Sequence, residues 1–285
     1  MLARLFAYAQ FLLPKFLLTS IVYRIARIPH AGFKDFLISR FVQLYGVDTS
    51  DIKLSVPDQF LTFNEFFIRE LADGARPIDS DPNVLTSPVD GTVSQIGQLC
   101  GNAILQAKGI EYSLDDLLAT DIDDARAYAD GSFTTIYLAP YNYHRVHAPI
   151  AGTLVSASYV PGDLFSVNAA TAETIRGLFR RNERLVLRFR TLHGPAAVIF
   201  VGALNVGSIS TPWSGVIRPR YSGVVEAIEL GAEAVTVAKG DLLGWFNMGS
   251  TVILLMPPGV CNWHESLSAG VAVRMGEAVG KLTDA

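Results

Sequence analysis

Cysteine is nearly missing. Cys100 and Cys261 are the only two in 285 residues, which excludes a disulfide framework and fits a reducing compartment. Charge is sparse too, with 18% of residues charged against 50% apolar and a mean hydropathy of +0.31. That is ample apolar material for one large or two modest domains. Long apolar runs are absent nonetheless. The longest charge-free stretch near the N-terminus, 5–14, is half of the roughly 20 residues that a bilayer crossing needs. Pro14 and Lys15 interrupt it and no small-residue cleavage site follows, so a secretory signal is not expected. The body has no basic stripe, which argues against a nucleic-acid partner. Nowhere does Gly-x-Ser-x-Gly occur, so an α/β-hydrolase elbow is excluded.

What is present is unevenly spread. The net charge is -4, yet residues 1–50 carry Arg4, Lys15, Arg24, Arg27, Lys34 and Arg40 against only Asp35 and Asp48. This basic, apolar segment ahead of an acidic body points to contact with an anionic membrane surface. Apolar residues at helical spacing predict a helix over 2–28, kinked or divided at Pro14. A second amphipathic helix is expected over 31–45, with Phe33, Phe36, Leu37, Phe41 and Leu44 on one side. Helices of this kind lie on a membrane, although ordinary packing against the body is the competing reading. Thr62 followed by Glu65 is a capping-box pattern and starts a third, short helix.

From residue 84 onward short β-runs punctuated by glycine and proline take over, at 84–99, 133–138, 145–160, 185–190, 196–206, 216–228 and 248–256. Asp115–Leu118 reads as a short helix at most, and Asn182-Glu183 as a turn. The predicted class is α+β: N-terminal amphipathic helices (1–60), then a mainly antiparallel, sandwich- or barrel-like catalytic domain (61–285). Ser87-Pro88-Val89-Asp90-Gly91-Thr92-Val93 is echoed by Ala148-Pro149-Ile150-Ala151-Gly152-Thr153-Leu154, and more faintly by Tyr221-Ser222-Gly223-Val224-Val225. With the closing Met275-Gly276-Glu277-Ala278-Val279-Gly280, the pattern is similar to the half-barrels of lipoyl and biotinyl carrier domains. No suitably placed carrier lysine accompanies it.

Four places carry candidate chemistry. His144 and His147, in Tyr141-Asn142-Tyr143-His144-Arg145-Val146-His147, suit acid–base work near neutral pH. Zinc is not expected, since third and fourth ligands are lacking. Asp90 is either a turn residue or the carboxylate that orients a histidine. Gly249-Ser250-Thr251 lies between apolar runs, where the serine hydroxyl can attack the neighbouring Gly249 carbonyl if a base is at hand. The turn and loop 160–168 either offer backbone amides and Ser166 to a phosphate or carboxylate or are a plain structural loop. On these residues alone, a serine hydrolase using Asp90, His147 and Ser250, or a non-enzymatic carrier or membrane adaptor, also remains open.

Taken together these stretches, with Thr62-Phe63-Asn64-Glu65-Phe66-Phe67, Arg76-Pro77-Ile78-Asp79, Leu105-Gln106-Ala107-Lys108-Gly109 and Asn182-Glu183-Arg184, resemble the bacterial membrane-associated phosphatidylserine decarboxylases over nearly the whole chain. One departure is Met248, where that family usually has leucine; the swap conserves volume and polarity. The resemblance implies a pyruvoyl cofactor made from Ser250 by self-cleavage after Gly249, giving chains 1–249 and 250–285, with Asp90 and His147 as the base pair. It implies that His144 serves decarboxylation and that Phe165, Ser166, Val167 and Asn168 bind the substrate, phosphatidylserine. A homodimer and a peripheral place on the cytoplasmic face of the inner membrane are further implications.

Overall fold

The computed structural model describes residues 2–107, 109–119, 125–205, 208–231 and 234–283, with side chains from residue 5 onward. Lys108 and Val206, each part of an expected motif or strand, lie outside these.

Pro14 divides the first helical stretch. Helix α1 spans Leu2–Ala9 and α2 spans Lys15–Ile25. Helix α3, Ala31–Tyr45, has the expected bounds and starts where His30 accepts a hydrogen bond from the Phe33 amide. Its apolar side is not the single face expected. Leu37, Ile38, Phe41 and Val42 pack inward, whereas Phe36 and Leu44 remain exposed. Helix α4, Phe63–Phe67, is capped by Thr62, whose hydroxyl accepts from the Glu65 amide. The reciprocal bond of the box goes instead to the Leu61 amide, one residue early. Together α3, α4, Ile52 and Phe60 enclose a small aromatic core.

The strands are β1 Val84–Thr86, β2 Gly91–Gln98, β3 Ala103–Ala107, β4 Ile110–Ser113, β5 Ser132–Leu138 and β6 Arg145–His147. They continue with β7 Gly152–Val160, β8 Arg184–Thr191, β9 Gly194–Val201, β10 Ile209–Thr211, β11 Gly215–Ile217 and β12 Glu226–Ala227. The last are β13 Thr236–Val237, β14 Leu242–Phe246, β15 Ser250–Met256, β16 Cys261–Trp263, β17 Ala272–Val273 and β18 Ala278–Leu282. Helix α5, Leu114–Leu118, follows β4. Among the described residues the large sheet runs β12-β7-β8-β9-β15-β5-β2-β17, with β13 also on β7. A four-stranded sheet, β11-β10-β14-β6, and a three-stranded one, β1-β18-β16, accompany it. All named pairs are antiparallel, and among the described residues no sheet closes into a barrel. The result is an α+β, sandwich-like fold around one large core.

Three expectations for strands are corrected, the first being 84–99, which divides at 87–90 into β1 on β18 and β2 on β5. The run 216–228 is not one strand: Arg218 to Val225 is irregular between β11 and β12, and the faint echo at 221–225 feeds nothing longer than β12. The run 145–160 divides where Pro149 interrupts it. The two stronger echoes, by contrast, are equivalent in space. Gly91 and Gly152 open β2 and β7, whose partners β17 and β13 occupy matching registers. The Gly276 amide donates to Ser87 O at 3.0 Å as the Gly240 amide does to Ala148 O at 2.8 Å. Both glycines have φ of +88°, a turn that other residues adopt only with strain. The two halves also exchange hydrogen bonds, Thr86 N to Pro149 O and His147 N to Pro88 O.

Candidate active site

The chain crosses from one sheet to the other between β14 and β15, and Gly249–Ser250 is the crossing. Asn247 anchors it. The Asn247 amide donates to Ser208 O, and its side chain donates to Ser208 Oγ (2.8 Å) and Ser210 Oγ (2.9 Å) while accepting from Asn64 Nδ2 (3.2 Å). Ser250 then enters the centre of the large sheet, between Leu138 of β5 and the end of β9. Its hydroxyl is buried without a hydrogen-bond partner, a costly state for a polar atom unless chemistry requires it.

His144 faces the same crossing. The loop after β5 turns at Ala139–Asn142, and Phe246 N binds His144 O at 3.1 Å. The ring packs on Phe67 at 4.1 Å between centroids. Nδ1 lies 2.8 Å from Asn142 O; a carbonyl only accepts, so Nδ1 carries the hydrogen and Nε2 keeps a lone pair. That Nε2 is buried, unpartnered, and 3.7 Å from where a side chain on Gly249 would begin. Desolvation, with the nearby Arg69 charge adding to it, lowers its pKa to about 3, so the imidazole is neutral. Arg69 holds the loop, donating to Tyr141 O (2.8 Å) and Asn142 O (3.1 Å). Burial brings Arg69 down to about 10, which leaves it charged.

His147 and Asp90 sit in an adjoining network. His147 Nδ1 donates to Gly240 O (2.7 Å), so its Nε2 accepts from the Tyr143 hydroxyl at 3.0 Å. Burial lowers its pKa as well, and raises that of Tyr143 to about 12. The Asp90 carboxylate accepts from Arg76 (2.7 to 3.1 Å) and from the Met275 amide (2.9 Å). Arg76 also binds Asp51. Asp90, His147 and Ser250 are therefore not strung together by direct hydrogen bonds here, because both His147 nitrogens have other partners.

A cavity of about 190 Å³ opens onto Gly249 and Ser250 and is lined by Tyr137, Ser166, Val167, Asn205 and Met248, among others. Of the predicted loop, Ser166 and Val167 reach it. Phe165 instead packs on Phe11 (4.8 Å) under the Lys15 ammonium (4.1 Å), and Asn168 caps the short helix Ala169–Ala172. The loop amides are not free for an anion as expected. Those of residues 163–166 donate to Arg181 O, Asp163 Oδ1, Asn182 Oδ1 and Gln10 Oε1. Sequence reasoning missed Gln10, Asn247 and Glu183. The last is buried just before β8, and Asn-Glu reads locally as an ordinary turn.

An α+β sandwich that buries a bare histidine nitrogen beside Gly249 and an unpartnered serine hydroxyl at the next residue has the groups of an enzyme that works through a serine. A family model described as phosphatidylserine decarboxylase matches residues 63–281, and a second, described as PSD, matches 5–46. Proteins named phosphatidylserine decarboxylase proenzyme are similar over nearly their whole length. That of Methylococcus capsulatus is 44% identical over 97% of this chain and 96% of its own. The Marinobacter nauticus protein is 44% identical over 99% of each, and that of Halorhodospira halophila 46% over 98% and 94%. The chain belongs to the phosphatidylserine decarboxylase family.

Proposed function

We propose that this protein converts phosphatidylserine to phosphatidylethanolamine in phospholipid synthesis, using a pyruvoyl group that it makes from Ser250. The observation that carries the reading is the pair of buried, unpartnered atoms at Gly249–Ser250, the serine Oγ and His144 Nε2, in a family whose members are named proenzymes. Attack of Oγ on the Gly249 carbonyl exchanges the peptide bond for an ester; its elimination separates chains 1–249 and 250–285 and leaves dehydroalanine, which tautomerises to an imine and takes up water to give a ketone and ammonia. The ketone left at position 250 would form a Schiff base with the serine amine of the headgroup and accept the electrons released as carbon dioxide departs.

The two histidines divide the proton work. His144 Nε2, neutral and open, handles the proton at the substrate carbon. Asp90 and His147 serve self-cleavage, which requires Tyr143 either to relay the hydroxyl proton or to release the His147 ring. His144→Ala is expected to cut itself without decarboxylating, and His147→Ala to stay whole; an uncut His144→Ala chain would instead make His144 the processing base. Ser166 and Val167 line the path of the headgroup. An apolar cleft of about 260 Å³ shares Phe41 and Met248 with the cavity and suits acyl chains.

No helix among the described residues is long and apolar enough to cross a membrane. Residues 1–60 are read as a docking segment on the cytoplasmic face of the inner membrane, 61–285 as the catalytic domain, and the working unit as a homodimer. The first test is an intact-mass spectrum beside Ser250→Ala. A 250–285 fragment bearing a ketone in place of the serine amine supports the reading, and a persistently whole wild-type chain sinks it.

A further inference from the structure

Ser250 has a second buried neighbour that the mechanism above does not use. The β9–β15 register pairs Val201 with Thr251, and the β8–β9 register pairs Arg184 with Val201. Carried one residue further, both put Glu183, Gly202 and Ser250 in one row on one face of the sheet. The bond from Gly202 N to Glu183 O, 2.9 Å, confirms the first step of that row. Opposed residues on adjacent strands share a face, and the middle position of this row has no side chain. Glu183 occupies the vacated space. Its Cγ and Oε1 lie 2.6 Å from where a Gly202 Cβ would stand, so any larger residue there would expel the carboxyl.

The carboxyl has a definite orientation. Tyr159 OH accepts from the Arg220 amide (3.0 Å) and donates to Glu183 Oε2 (2.6 Å). Oε1 is buried and unpartnered, as is Ser250 Oγ. With Oε2 accepting, a hydrogen on this acid belongs on Oε1, over Gly202. Two orphaned oxygens thus belong to the residues on either side of Gly202 in the row that ends at Ser250.

We propose that Glu183 is the proton donor that releases the ester oxygen during self-processing. This rests on the self-cleavage reading above. Once the acyl group has moved to Oγ, the hydrogen on the Ser250 Cα leaves with the processing base, His147. The Cα=Cβ bond forms, the Cβ–Oγ bond breaks, and Oγ departs as part of the new Gly249 carboxyl, taking the Oε1 hydrogen. Glu183, left ionised, regains a hydrogen from the protonated base. The acid must be in its neutral form for this. Desolvation raises its pKa to about 8, against the opposing pull of the Tyr159 hydrogen bond and the Arg220 charge, the ionisable groups that face it.

The test is Glu183→Gln, which keeps the volume, followed over time by intact mass with and without hydroxylamine. The ester is expected to form and persist, with elimination slowed about 100-fold or more, as for loss of a general acid. Hydroxylamine should then cut the variant to a 250–285 fragment that still begins with serine. Gly202→Ala, which leaves Glu183 in the chain but displaces it, should accumulate the same ester. If Glu183→Gln yields the ketone-bearing fragment at the wild-type rate, Glu183 is not the donor while self-cleavage stands. If wild type itself is never cut, the self-cleavage reading fails first. Should Glu183→Gln not fold, wild-type elimination alone decides: a rate that does not fall as pH rises through about 8 overturns the proposal.

Discussion

His144 and Glu183 are both removed from water, and burial pushes each toward its neutral form, so their pKa values move in opposite directions. The folding linkage has opposite signs as a result. His144, lowered from 6.5 to about 3, contributes stability that is present above 6.5 and lost as pH falls toward 3. Glu183, raised from 4.5 to about 8, contributes stability that is present below 4.5 and lost as pH rises toward 8. In a Ser250→Ala background, which keeps the chain whole, adding Glu183→Gln removes only the second slope. Thermal melts should show the Gln variant gaining on its parent from pH 5 to pH 8, by up to ~1.4 kcal/mol per pH unit, and no further above that. A gap that does not change with pH would mean Glu183 is ionised in the fold. Asn247 makes another residue-scale test. Asn247→Ala strands Ser208 and Ser210 hydroxyls in the interior, and should cost about 1–3 kcal/mol while slowing self-cleavage through a looser crossing.

At the scale of elements, α1, α2 and the turn that joins them present two different faces. Inward, Gln10 accepts from the Ser166 amide (2.7 Å) and donates to Thr171, Lys15 pairs with Asp163 (3.1 Å), and Phe11 covers Phe165. Outward, Leu12 is 89% exposed and Leu5, Leu17 and Ile21 also face solvent, an apolar strip such as a bilayer surface would cover. Packing inward thus leaves the outer face of this segment free for the docking proposed above. Deleting them would also remove the support of the 163–168 loop, so point charges give the cleaner experiment. Leu12→Asp with Leu17→Asp is expected to weaken vesicle binding and turnover of vesicle-borne phosphatidylserine several-fold, with a short-chain soluble analogue turned over as before. Equal losses on both substrates would assign the strip to folding alone. Gln10→Ala should do the reverse and impair both substrates, because it leaves the Ser166 amide beside the cavity without its acceptor.

At the scale of the whole molecule, the proposed cut falls at an unusual place for a chain break. Strand β15 lies between β5 and β9 and is buried at every residue. Val252, Ile253, Leu254, Leu255 and Met256 are all fully inside; at about 1.5–3 kcal/mol each, their burial alone amounts to roughly 10 kcal/mol. Strand β18, near the other end of the same fragment, is held between β1 and β16. The 250–285 piece should therefore stay in place after cleavage. Gel filtration in native buffer is expected to elute both chains together and to part them only in denaturant. Dissociation on cleavage would mean the sheet is held far more loosely than its burial implies.

Much of this was legible in the chain itself. Helical spacing set α3 to the residue, Pro14 divided α1 from α2 because its ring lacks an amide hydrogen, and the echoed Pro-x-x-Gly-Thr turns marked where β2 and β7 begin. Motifs at separated positions were enough to place the family. These are local signals, written in spacing and backbone chemistry. Which groups meet was decided only by tertiary structure, because hydrogen-bond partners and desolvation depend on residues far away in sequence. Gly240 and Tyr143 occupy the two nitrogens of His147, Arg76 takes Asp90, and Arg181, Asp163, Asn182 and Gln10 fill the loop amides that looked free for an anion. Glu183 reads as half of a turn until β9 and β15 align it with Ser250 across Gly202. A carboxyl becomes an acid near neutral pH only once the fold has taken the water away.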